Sequence, residues 1–119
     1  CEYEKSMVLP HEGMIVETLD RINQMTDKLE AALEMFCFVA GTQMFLDGNK
    51  RVAQLMCNKI MMENDIGIFS VPYDEIDHFK ELLVEFYETD NSDKIKDFFR
   101  SKCLLLNPEY EIQRVKTDL

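Results

Sequence analysis

Phe45-Leu46-Asp47-Gly48-Asn49-Lys50-Arg51 lies between two helix-periodic segments, and its reading decides how the rest of the chain is arranged. Asp47-Gly48 is a turn dipeptide. Gly48 is expected at positive φ, which turns the backbone N–H groups of 48 to 51 into one concavity at the start of the next helix. First-turn N–H groups have no acceptor within a helix, and the positive end of the macrodipole lies there, so phosphate is favoured at that point. Lys50 and Arg51 add charge and forked donors, and Asp47 at the mouth is a candidate ligand for a magnesium ion bridging phosphates. The same residues also suit a plain helix–loop–helix connection with a solvated tip, and a short motif does not by itself separate the two. An EF-hand is excluded. With Gly48 at the sixth loop position, Gln43, Phe45 and Gln54 fall where carboxylates are required.

The periodicity on either side predicts an all-α domain. Met14 to about Met25 carries Ile15, Leu19 and Ile22 at helical spacing. Asp27 and Glu30 form a capping pair for a helix with Leu29, Leu33, Phe36, Cys37 and Ala40 inward, ending near Gly41-Thr42. Arg51 to about Glu63 is apolar nearly all round, through Val52, Ala53, Leu55, Met56, Cys57, Ile60 and Met61, which predicts the central helix of a bundle. Asn64-Asp65-Ile66-Gly67 stops it, and residues 68–71 read as extended. A helix from Asp74 shows Ile76, Phe79, Leu82, Leu83 and Phe86. Ser92 is placed to cap another with Ile95, Phe98 and Phe99 inward, and Asn107-Pro108 starts a short last helix with Ile112 and Val115 as its apolar stripe.

The motif resembles the core of Fic-domain proteins, His-Pro-Phe-x-(Asp/Glu)-Gly-Asn-(Gly/Lys)-Arg, often followed by a second Arg. Phe45, Asp47, Gly48, Asn49 and Arg51 match, and Lys50 is a permitted variant. Gln43 stands at the position of the catalytic His, Met44 at that of the Pro and Gln54 at that of the second Arg. Ser6-Met7-Val8-Leu9-Pro10 resembles the outgoing strand of the family's flap hairpin, and the resemblance covers about residues 5–103. It implies a Fic-fold helical bundle with a short flap-like extended segment at the N-terminus, spanning 1–119 as a single domain. Residues 1–9 are then the remnant of the flap, with an N-terminal part of the protein preceding Cys1.

For function, the resemblance implies nucleotidyl transfer, most often of AMP from ATP with Mg2+ onto a protein hydroxyl, the target being held at the flap edge along residues 3–9. Gly48, Asn49, Lys50 and Arg51 then bind phosphate, Asp47 binds the metal, and Phe45 anchors the loop. Gln43 does not titrate near neutral pH and cannot act as the general base, so the expected activity is impaired or altered. Gln54 offers a weaker clamp on the far phosphates. The alternative is a non-catalytic nucleotide-binding, phosphate-binding or protein-interaction module on the same fold. A Doc-type phosphotransferase fits less well, since Doc proteins usually carry Ala at the position of Gly48 and still need the His. Glu12-Gly13 matches only the end of the family's inhibitory motif, with Val8 where Ser or Thr is needed, and reads as a turn before a helix.

Composition narrows the partners. The 119 residues are 46% apolar and 30% charged, enough for one core. The net charge of −10, with 23 acidic and 13 basic residues, argues against nucleic acid, which needs a basic stripe. Acid concentrates from Asp74 to Asp93 and reads as a solvated face. No run approaches the ~18 apolar residues of a membrane span and no signal segment opens the chain, so the expectation is a cytoplasmic protein without a membrane partner. Cysteines at 1, 37, 57 and 103 show no metal spacing. Cys37 and Cys57 fall on apolar helix faces, as small buried hydrophobes do. His11 and His78 stand far from the motif in sequence and read as surface residues, although His11 follows Pro10 near the flap exit and is the first candidate for a substitute base.

Overall fold

The computed structural model describes residues 12–42 and 48–118. Among them the chain runs α1 (Glu12–Gln24), α2 (Lys28–Thr42), α3 (Asn49–Glu63), β1 (Gly67–Phe69), a 3-10 turn (Tyr73–Glu75), α4 (Ile76–Thr89), α5 (Asp93–Lys102), β2 (Leu104–Leu106) and α6 (Pro108–Asp118). The all-α expectation holds, with a two-stranded antiparallel ribbon added. The flap segment 1–9 and His11 lie outside the described residues.

The central helix is α2, not α3. Nine of the fifteen residues of α2 are buried, among them Leu29, Leu33, Phe36, Cys37 and Ala40, and its Ala31, Ala32 and Ala40 let neighbours approach closely. In α3 only Ala53, Cys57 and Met61 are buried, an i, i+4 stripe, whereas Leu55 and Met62 are 69% and 62% exposed. Apolar residues spread round α3 do not by themselves place it at the centre. What matters is which faces find neighbours, and α3 has them chiefly on the side of α2 and β1.

Four rings tie the elements together. Phe36 of α2 lies with its centroid 5.3 Å from Phe69 of β1, 6.1 Å from Phe79 of α4 and 4.8 Å from Phe99 of α5, mostly in tilted or edge-on geometry. Such pairs stabilise by about 0.5–1.5 kcal/mol beyond burial alone. Cys37, Cys57 and Cys103 are buried in the same core, and loss of hydration pushes each thiol up to about 12, so they are neutral and inert.

Local signals account for most helix ends. Oδ1 of Asp27 accepts from the N–H groups of Leu29 (3.1 Å) and Glu30 (3.2 Å), capping α2. Glu30 does not complete the capping box. Its carboxylate is taken by the Arg100 guanidinium of α5, which holds it below the ordinary carboxylate range. Lys96 pairs in parallel with Glu34, and Arg21 of α1 reaches the same carboxylate at 3.4 Å. Ser92 supplies no side-chain cap to α5; Asn91 Oδ1 accepts from the Asp93 N–H instead (2.9 Å). Glu12 and Gly13 form the first turn of α1 and not a turn ahead of it, an acidic residue being favoured at that end of the dipole.

The extended run after α3 acquires a partner the pattern did not indicate. β1 pairs with β2 in the register Gly67↔Leu106, Ile68↔Leu105 and Phe69↔Leu104. The side-chain amide of Asn58 covers the outer edge of β1 at Phe69, accepting from its N–H (2.7 Å) and donating to its carbonyl (3.0 Å). In α6 the predicted stripe is outward, with Ile112 and Val115 55% and 60% exposed, while Tyr110 packs on the core.

Candidate functional site

The turn before α3 is built around Gly48, whose φ of 79° and ψ of 11° place it in the left-handed region as expected. Its carbonyl accepts from the Val52 N–H at 3.0 Å, which opens the helix, and Gly48 itself, as the N-cap, offers no side chain to cap that end. A Cβ built on Gly48 would lie 3.0 Å from Nη2 and 3.5 Å from Nε of Arg51. The guanidinium is therefore folded back over the glycine, and the turn requires glycine for its dihedrals. Gly48 and Asn49 are half-buried, and Lys50 and Arg51 are exposed.

The electrostatics are unusual for a helix start. The first turn of α3 holds Lys50 and Arg51 and no acidic residue. Cations at the positive end of a helix dipole are disfavoured by about 0.3–1 kcal/mol each, and this first turn carries two of them on a chain of net charge −10. Gln54, at the second-Arg position, is exposed one turn further along.

The structure thus brings Gly48, Asn49, Lys50 and Arg51 together at one helix end. Gln43, Met44, Phe45 and Asp47 lie outside the described residues, so the base position, the loop anchor and the metal-ligand position are not described. Among the described residues no group of His, Cys, Asp and Glu is arranged to hold a metal ion. His78 is remote in role: it sits 3.5 Å from Glu75 and edge-on to Phe98.

One feature at the end of α2 escaped the sequence reading. A cleft of about 390 Å3 is lined by Arg21 of α1, Phe38 and Thr42 of α2, and Asp90 and Ser92 between α4 and α5. It opens at the end of α2 that leads into Gln43. The close approach of Gly41 to the Phe86 ring, where a Cβ would sit 3.1 Å away, shapes its wall. No spacing in the sequence links Arg21 to Asp90; only the packing of α1 and the α4–α5 connection against α2 does. Compared with the known protein families, with curated proteins and with solved structures, the chain finds no match.

Proposed function

We propose that the N-terminal turn of α3 binds the phosphates of a nucleotide such as ATP in the manner of a Fic site, on a chain whose transfer of AMP to a protein hydroxyl is impaired by Gln43. The observation that carries this reading is the left-handed Gly48 with the Arg51 guanidinium folded over it, ahead of a first helical turn that bears two cations and no acid. An anion relieves the repulsion between those cations and the dipole, and guanidinium and ammonium groups recognise phosphate through charge-assisted hydrogen bonds. In the transfer, a hydroxyl attacks the α-phosphate of ATP and pyrophosphate leaves. By the resemblance Asp47 would hold Mg2+, which would supply neutralisation of phosphate charge. The protein target would lie along residues 3–9.

The reaction also needs a base for the hydroxyl proton. An amide at position 43 removes a contribution of about 10²–10⁴ in rate, and Gln54 in place of a second cation loosens the far phosphates. Binding without efficient transfer is the consequence. The test is incubation with labelled ATP and Mg2+ of the chain as it stands and of the double variant Gln43→His, Gln54→Arg. The expected result is weak ATP binding by both and self-labelling that rises by about 10² in the double variant. Retained ATP binding with labelling at background in the folded double variant favours a nucleotide-binding module without catalysis. If neither protein binds ATP or inorganic phosphate by calorimetry, the proposal fails. Strong labelling by the unaltered chain would show that another residue is the base, with His11 the first to replace.

A further inference from the structure

Helix ends and side chains give the cleft at the end of α2 two poles of opposite charge. Thr42 closes α2 and Asp90 caps α4, and both line the cleft, so two helix C-termini open on it. Each carries the partial negative charge of its unpaired carbonyls, and neither helix has a basic residue in its last turn to offset it. Asp90 adds a full negative charge, and its carboxylate makes no hydrogen bond or ion pair among the described residues. The start of α5 also meets the cleft, at Ser92, but Asp93 in its first turn already offsets that positive end. The other pole is Arg21 of α1. Its Nη2 lies 3.4 Å from Glu34, a carboxylate that Lys96 holds as well, and the guanidinium has no further hydrogen bond or ion pair among the described residues. Phe38 and Phe86 supply an apolar wall, and Gly41 leaves the Phe86 ring uncovered, since a Cβ there would sit 3.1 Å from it.

We infer that the cleft takes a small zwitterion with an apolar body, of the class of a free amino acid or a dipeptide. The ammonium pairs with Asp90 beside the ends of α2 and α4, the carboxylate takes the remaining donors of Arg21, and the apolar group lies against Phe38 and Phe86. A single charge leaves one pole opposed: an anion faces Asp90 and two negative helix ends, and a cation faces Arg21. The volume of about 390 Å3 lies within the ~300–1,000 Å3 of ligand pockets, whose usual make-up is an apolar wall with a few placed polar groups. Arg21 and Asp90 are exposed, so solvent screens both pairs and the affinity is modest. The cleft shares no residue with the Gly48 turn, so binding here and phosphate binding there are separable.

The test follows the amide NMR shifts of the isotope-labelled full chain during titration with leucine and with leucyl-leucine, each to about 50 mM. At least one is expected to give saturable shifts at Arg21, Phe38, Thr42 and Ser92 with a Kd of about 1–10 mM, and the two arms separate a free amino acid from a dipeptide. The N-acetyl form of the binding ligand lacks the ammonium and its amide form lacks the carboxylate, and each is expected to bind about fivefold more weakly. Arg21→Gln is expected to abolish the preference over the amide form and Asp90→Asn the preference over the N-acetyl form, each leaving the other preference in place. Both positions are exposed, and Asn tolerates the φ of 57° at position 90, so circular dichroism is expected to be unchanged. Absence of shifts at the cleft with both ligands overturns the inference, as does a blocked form that binds as tightly as the zwitterion or a preference that its matching substitution leaves intact.

Discussion

Replacing Gly48 by alanine isolates the physical content of the turn. At φ 79° an L-residue costs about 1–2 kcal/mol over glycine, and the new Cβ would meet Arg51 Nη2 at 3.0 Å. That contact is with the end of a flexible side chain, which swings away, so the steric part adds little to the dihedral part. The expected loss is therefore about 1–2 kcal/mol, a fall in Tm of roughly 4–10 °C for a domain of this size, read by urea and thermal unfolding. Gly48→Val, with a branched Cβ, is expected to lose about 1 kcal/mol more. Binding should respond separately. Swinging Arg51 away removes charge-assisted hydrogen bonds of about 1.5–3 kcal/mol each, so calorimetric affinity for ATP or inorganic phosphate is expected to fall by about tenfold or more. Stability unchanged by alanine would refute the left-handed assignment. Stability lost with phosphate affinity intact would leave the turn as a structural device and refute the anion site.

The second positive-φ glycine is expected to be far less forgiving. At Gly67, φ 147°, a Cβ would lie 2.1 Å from the Leu105 carbonyl oxygen and 2.8 Å from the Leu106 Cα, so Gly67→Ala must push β1 and β2 apart and should cost more than about 3 kcal/mol in urea unfolding; a loss below about 1 kcal/mol would mean the strands are not paired in this register. The Arg100 partner gives Glu30 a folded pKa below its ordinary 4.5, so its stabilisation is complete above that value and is lost as pH falls through the lower folded one. Glu30→Gln is therefore expected to be less stable than the parent at pH 7 and to show a shallower loss between about pH 5 and pH 2, and parallel acid-unfolding curves for the two proteins would count against the pair.

Features set by neighbours in the chain could be read from the sequence alone. The positive φ of Gly48, the Asp27 cap, the helix stop near Asp65 and the inward residues of α2, α4 and α5 each depend on a dihedral preference or a 3.6-residue period spanning a few positions. The cationic first turn of α3 belongs with them. Other features waited for the fold because their causes lie far along the chain. Which of two apolar helices is central depends on how many sides acquire neighbours, and α2 has them on all sides while Leu55 and Met62 of α3 face outward. Leu104–Leu106 is too short to announce a strand and becomes one only against Ile68 and its neighbours some 40 residues away. Glu30 has a nearby use as half of a capping box, yet its carboxylate goes to Arg100, 70 positions on, because packing α5 against α2 brings a guanidinium within reach. Local stereochemistry acts on any chain that carries these residues, whereas pairing across the fold exists only once the core around Phe36 has brought the partners together.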